Sequence, residues 1–410
     1  LDQSLPFFPT AMHATHPPHV RPLHRNVWLI AGILLIAANL RAPVTAVGPV
    51  MGLLQQTFAL SAGAAGLMLT LPLLCFALVS PLAARVARSL GLERTLLLAL
   101  LLIAGGIVLR SSGSVAALLA GTCVIGCGIA GGNVLLPSLL KRDFPDDLTR
   151  MTAIYALTMG GASALGSVCA VPLAAGLGWA WALASFIALP VVTVLVWLPQ
   201  LRRDTRPATA PARAASMWRQ PLAWQVTFFL GTNSLVYYVV TAWLPSILAA
   251  NGHSAVEAGN QHGLMQLASA LPGLLLVPLG PRMRDQRPVA VSMSAATVLS
   301  LIGLIAWPQA SIIWVPLFGF GTGAVLILGL AFVGTRVSTP PQAAALSAMA
   351  QSVGYLLAAA GPILMGRLHD ASGGWTLVLA LCAGGAVLMG VLGWLAGRPG
   401  RVIGADTQGQ

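Results

Sequence analysis

The sequence predicts an all-α membrane protein: twelve transmembrane helices arranged as two pseudo-symmetric six-helix bundles. Three observations carry that expectation. Only 8% of the 410 residues are charged, 57% are hydrophobic, and the mean hydropathy is +0.84. A soluble domain carries about 25% charged residues, which form its polar coat. The apolar residues also run in stretches long enough to cross roughly 30 Å of hydrocarbon as helix. Finally, the chain repeats itself. Gly126-x-Gly128 returns as Gly319-x-Gly321, Gly161 as Gly354, Asn39 as Asn233 and Pro49 as Pro245, all at a spacing of about 194 residues.

Charged residues and Pro/Gly-rich breaks set the bounds of each span. The first runs over 27–54, after Arg25, and the second over 62–84, up to Arg85. The third, 94–111, and the fourth, 114–140, meet at a Ser/Gly turn, and the fourth stops at Lys141 and Arg142. The fifth and sixth run over 150–175 and 178–198. In the second half the spans are 222–250, 261–281, 288–307, 311–335, 343–366 and 375–397. Strands of a barrel would instead alternate polar and apolar residues over about ten positions, and no such pattern occurs. The expected organisation is a disordered tail over 1–25 and a first bundle over 26–198. A basic linker over 199–220, a second bundle over 221–397 and a tail over 398–410 follow. Met12 is a candidate natural start, and the tail histidines His13, His16, His19 and His24 are read as part of a disordered segment.

The net charge of +12 is topological in this reading. Of the 22 Lys and Arg, all but Arg41, Arg110 and Arg367 fall on one side of the spans, together with both termini. The positive-inside rule makes that side cytoplasmic. The expected location is the bacterial inner membrane. Nucleic acid is thereby not an expected partner. The five cysteines all lie in apolar segments, where no disulfide framework is expected. Cys123 and Cys127 share a helix face, but with no His or carboxylate near them in sequence they read as small packing residues, and no metal or cofactor is expected.

Arg41 is the sharpest functional signal. It lies well inside the first span, in Asn39-Leu40-Arg41-Ala42-Pro43-Val44-Thr45, where a cation costs from about 2.5 to over 10 kcal/mol unless it faces a cavity. All ten acids are assigned to loops or tails, so the opposing charge is expected from a substrate. Guanidinium offers a planar fork of donors suited to small oxyanions or carboxylates. The alternative is a structural Arg held by helix carbonyls. Without an intramembrane acid, a carboxylate proton relay is not expected, and His262 is the titratable group closest to the core. Asn39, Thr45, Asn133, Tyr155, Thr158, Asn233, Tyr237, Tyr238, Trp243, Gln351 and Tyr355 complete the candidate substrate-binding set, with Gln266 nearby. Each alone is readable as an interhelical hydrogen bond of about 0.6 kcal/mol; together they outline a polar cavity. Pro43, Pro49, Pro137, Pro245 and Pro362 supply places for helices to bend around it.

These motifs bring a family into view. Asn39-Leu40-Arg41-Ala42-Pro43 leading into Val47-Gly48-Pro49 resembles the first helix of the cyanate permease and 2-nitroimidazole transporter family of the major facilitator superfamily. So do Ala242-Trp243-Leu244-Pro245, Gln351-Ser352-Val353-Gly354-Tyr355, and Gly361-Pro362 through His369-Asp370. The resemblance implies an alternating-access carrier of a small molecule. Some superfamily features are missing: the loop Ala83–Arg94 lacks the usual Asp, Thr122 stands where a coupling Arg would be, and the fifth span has no Gly-Pro pair. The expected function is transport of a small anion or compact polar molecule of cyanate type, with Arg41 in the central site. Efflux of a neutral heteroaromatic such as 2-nitroimidazole through an aromatic-lined cavity is the alternative. A non-transporting receptor or scaffold is the reading from another class. No nucleophile–base pair or metal cluster points to an enzyme. The expected partners are a small-molecule substrate and the lipid bilayer, and the expected state is a monomer.

Overall fold

The computed structural model describes residues 23–145, 147–203, 217–279, 285–337 and 340–398. The expected tail over 1–25 up to residue 22, most of the 199–220 linker and nearly all of the C-terminal tail lie outside the described residues.

The first pass is broken into α1 (Leu23–Asn39), α2 (Ala42–Thr45) and α3 (Met51–Phe58), with a 3-10 turn at Gly48–Val50. Pro43 and Pro49 lack the N–H that a continuous helix needs, and Gly48 adds flexibility beside the second. Next come α4 (Ala62–Leu90), α5 (Leu92–Arg110), α6 (Val115–Asp143), α7 (Leu148–Ala184) and α8 (Ala188–Trp197). Ser61 and Ser114 cap α4 and α6 by accepting the Ala64 and Ala117 N–H groups at 3.1 and 3.2 Å. Gly91 separates α4 from α5 with φ 88° and ψ 160°, and Gly178 breaks α7 with nearly the same geometry, φ 78° and ψ 161°. Both conformations suit glycine alone. The chain therefore reverses at Gly178. Trp179 beyond the break meets Phe58 edge-on at 5.2 Å, and Trp197 further along donates to the Glu93 carbonyl at 3.1 Å.

The second half is α9 (Pro221–Ala250), α10 (Ala255–Leu279), α11 (Arg287–Ala306), α12 (Ser311–Thr335), α13 (Pro340–Ser372) and α14 (Thr376–Ala396). Among the described residues ten helical stretches are long and apolar enough to cross a membrane. The 53-residue stretch Arg150–Arg202 is two passes because of the Gly178 reversal, and the 25-residue α10 completes twelve.

Contacts repeat as the sequence does. A side chain on Gly128 would strike the Ala99 carbonyl and Ile103, and one on Gly321 would strike the Met293 carbonyl and Thr297. Gly126 abuts Pro72, and Gly319 abuts Met265. Between the halves, Gly66 of α4 lies against Pro362 of α13, and Gly259 of α10 lies against Ser167 of α7. Each pair maps onto the other at the spacing of about 194 residues. The halves are two copies of one six-helix unit.

The two ends of the molecule differ. Arg142 pairs with Glu93 at 2.8 Å and with Asp143 at 2.7 Å at the base-rich end, and Arg203 reaches Asp143 at 3.9 Å. This corrects the placing of every acid in a loop or tail. Glu93 stands in the first turn of α5 and is 1% exposed, Asp143 closes α6, Glu257 opens α10, and Asp370 lies in α13. At the base-poor end the halves touch: Asp370 accepts the Gly63 N–H at 3.1 Å, and Gly366 abuts Ala62.

Candidate functional site

A cavity lies between the halves and is walled by the interrupted first pass, α4, α6, α9, α10 and α13. It encloses about 90 Å³, room for a few waters or one small planar molecule. Arg41, Leu40, Val44 and Thr45 line it from the interruption, with Phe76 and Leu73 from α4 and Asn133 from α6. Tyr238 and Thr241 of α9, His262 and Gln266 of α10, and Tyr355 of α13 close the other side. No carboxylate is among the lining residues.

Arg41 does not sit in a regular helix, as its placing within the first span implied. It is the residue before α2, with φ −127° and ψ −55°, where the chain leaves the helical path. All four tyrosines of the chain lie within electrostatic reach of it: Tyr238, Tyr237, Tyr355 and Tyr155. Tyr238 packs edge-on against Tyr237 at 5.4 Å, and Tyr355 against Phe76 at 5.6 Å. Tyr237 donates its hydroxyl to the Gln266 side-chain oxygen. The guanidinium thus sits among phenol groups, with no carboxylate among the residues that line its cavity.

The interruption has its own support. Val47 N–H turns to Val44 O instead of Pro43 O, so the Pro43 carbonyl has no helical partner. Arg110 fills the vacancy, donating Nη1 to Pro43 O at 2.6 Å. Arg110 is 1% exposed, and its Nε and Nη2 meet no acceptor among the described residues. Sequence alone placed Arg110 on the outer side, at the end of the third span, and made Arg41 the single core cation. The structure buries Arg110 and leaves Arg41 half-buried in the cavity wall.

The remaining candidates separate. Thr45 lines the cavity and approaches the Ser163 carbonyl at 3.1 Å. Asn133 lines both the cavity and a side opening toward Gln351 and Ser80. Gln351 is exposed in that opening and donates to Ser347. Asn39 does not reach the cavity: its amide donates to Leu35 O and to Thr193 at 2.8 and 2.7 Å, fastening α1 to α8. Asn233 is buried away from the lining residues, and its side-chain oxygen has no partner among the described residues. Thr158 donates to Ile154 O within its own helix. Trp243 is fully buried, donates to Pro362 O at 3.0 Å and faces a separate vestibule at the base-poor end beside His369 and Trp375.

His262 is 1% exposed in the cavity wall, deeper than a place near the start of its span suggested. Nε2 lies 2.9 Å from Thr241 O, and Nδ1 lies 2.8 Å from Ser167 Oγ. A carbonyl only accepts, so Nε2 carries the hydrogen. Ser167 Oγ also lies 2.9 Å from the Ser163 carbonyl, so its single hydroxyl hydrogen is shared between that oxygen and Nδ1. Ser167 belongs to the first half and His262 to the second, so this bond spans the seam. Ser163, Ser167 and Thr241 had no distinguishing sequence signal, because small polar residues within apolar helices look alike until the helices are packed, and Phe76 was one apolar side chain among many.

A pseudo-symmetric twelve-pass fold around a central polar cavity defines a membrane transporter of the major facilitator type, and the chain belongs to the Major Facilitator Superfamily, whose family model matches residues 27–359. It is 52% identical over 377 residues to a 2-nitroimidazole transporter of Escherichia coli (strain K12), covering 91% of this chain and 96% of that protein. It is 27% identical over 367 residues to a cyanate transport protein of the same organism, covering 87% and 94%. Among solved structures, a D-xylose–proton symporter shares the fold with a TM-score of 0.73 at 12% identity, over 90% of this chain and 97% of that one.

Proposed function

We propose that the chain carries a compact, planar solute with paired oxygen acceptors across the bacterial inner membrane by alternating access, as a monomer with both termini cytoplasmic. A nitro-substituted heteroaromatic of the 2-nitroimidazole kind fits this description. The observation that carries the proposal is the setting of Arg41: a guanidinium in a small cavity whose lining offers aromatic rings and amides but no carboxylate. The two oxygens of a nitro group match the guanidinium fork, and Tyr238, Tyr355 and Phe76 offer faces and edges to a ring. The likeness to a 2-nitroimidazole transporter over most of both chains supports the same reading. The second reading, a small anion of cyanate type, is favoured by the uncompensated Arg41 charge and by the more distant cyanate relative.

Calorimetry on the purified protein with 2-nitroimidazole, imidazole and cyanate tests both. The expected result is binding of 2-nitroimidazole and none of imidazole, which lacks the oxygens. Hydrogen bonds to charged groups contribute about 1.5–3 kcal/mol, so Arg41→Ala weakens binding by about ten- to a hundred-fold. Arg41→Lys recovers little, because an ammonium has no planar fork. Preference for cyanate selects the second reading. Unchanged affinity in Arg41→Ala, with a lowered melting temperature, removes Arg41 from the site under either reading.

A further inference from the structure

Three cysteines of the first half that the transport reading leaves unused meet at one point. Cys75 of α4 and Cys123 and Cys127 of α6 bring their sulfurs within 4.8 Å of one another, and Cys75 Sγ is 3.4 Å from Cys123 Sγ. All three are free thiols. The gathering has a local cause. Cys123 and Cys127 are one turn apart on the same face of α6. Gly126 between them lets α4 approach until Pro72 and Cys75 lie against the α6 backbone. Sequence spacing revealed the pair on α6 but not the third member, which arrives from another helix.

Bonds of about 2.3 Å from sulfur to a shared ion allow sulfurs to lie up to about 4.6 Å apart, so this trio needs little movement to bind one atom. Net charge decides which atom. The cluster contains no His or carboxylate, so the fourth ligand of a structural zinc site is missing. Three thiolates around a monovalent or divalent ion would also leave net negative charge in a low-dielectric helical bundle, at high cost. Three thiolates around a trivalent ion sum to zero.

We infer that Cys75, Cys123 and Cys127 form a trithiol site for a trivalent thiophilic element, arsenic(III) or antimony(III), that ties α4 to α6. The chemistry is a condensation. Neutral As(OH)3 exchanges its three As–O bonds for three As–S bonds, each thiol proton leaves with a hydroxide as water, and arsenic stays at the trivalent level, so no oxidant is needed. Neither reactant nor product carries charge into the bundle. This site is independent of the transport reading.

The test is titration of the purified full-length protein with sodium arsenite, measuring bound arsenic by elemental mass spectrometry and free thiols by Ellman's reagent after unfolding under non-reducing conditions. The expected result is one arsenic per chain, with the titratable thiols of the 5 cysteines reduced to those of Cys169 and Cys382. Cys75→Ser, Cys123→Ser and Cys127→Ser should each abolish stoichiometric uptake, while Cys169→Ser and Cys382→Ser leave it intact. X-ray absorption at the arsenic edge on the unmutated protein should show three sulfur neighbours, which decides the matter even if a serine variant folds poorly. Fewer than three sulfur neighbours, uptake that survives loss of a trio cysteine, thiol loss without arsenic uptake, or equal uptake of zinc would each overturn the inference.

Discussion

At the scale of single residues, two arginines, Arg110 buried and Arg41 half-buried, act on one interruption of the first pass. Arg41 faces the cavity from the break, and Arg110 holds the carbonyl that the break leaves without a partner. Leaving a buried acceptor unsatisfied costs about 1–3 kcal/mol. Arg110→Met should therefore loosen the segment that aims Arg41 and weaken binding of the Arg41-dependent ligand by roughly five-fold or more. Arg110→Gln, which keeps a donor, should retain more of it. Affinities of both variants by calorimetry check this, and equal affinities would show that the Pro43 contact does not position Arg41. The two residues differ in legibility for a physical reason. Arg41 stands amid apolar residues and declares itself. Arg110 ends a span, where a charge ordinarily marks solvent, and only the packing of α6 and the first pass over it reveals burial.

At the scale of helices, the ends were legible where charges or glycines mark them. The expected 311–335 span coincides with α12, and 222–250 differs from α9 by one residue at its start. The first pass was legible as a span but not as three helices, because two prolines announce bends without saying how carbonyls are reassigned. The cavity membership of Thr45, Asn133, Tyr238 and Tyr355 depends on helix rotation, to which a nearly uniform apolar sequence gives no clue. The same holds for the seam. A methyl group on Gly66 would lie 2.8 Å from the Pro362 carbonyl oxygen, and the obstacle is backbone. Overpacking of this kind costs about 1–3 kcal/mol, so Gly66→Ala should shift the two halves toward an arrangement parted at the base-poor end. A cysteine placed at Gln55, in the vestibule wall, should then react faster with maleimide by about ten-fold. Gly52→Ala, where open space surrounds the position, is the control. An unchanged labelling rate in Gly66→Ala would mean that the seam yields without parting.

At the scale of the whole molecule, the two halves share a plan but fasten their base-rich ends differently. Arg142 of α6 meets the buried carboxylate of Glu93. Arg336, its counterpart at the end of α12, reaches the Ala396 and Gly397 carbonyls at 2.9 and 3.1 Å and lies over the Phe332 ring. Losing one partner of a buried ion pair costs about 3–5 kcal/mol, and the partial exposure of Arg142 lowers that figure. Glu93→Gln should still lower the melting temperature in detergent clearly. Gln286→Leu, which removes a 3.5 Å contact to Arg336, should leave it nearly unchanged. Equal effects of the two substitutions on melting would show that the ion pair adds nothing beyond shape.

The gathering of every tyrosine around Arg41 makes the amino acid itself an address. Replacing tyrosine throughout with 3-fluorotyrosine would give four fluorine resonances, two from the cavity wall at Tyr238 and Tyr355 and two from Tyr155 and Tyr237, all within electrostatic reach of Arg41. Fluorine spectra could then follow solute arrival and the exchange between arrangements of the halves without a single engineered label.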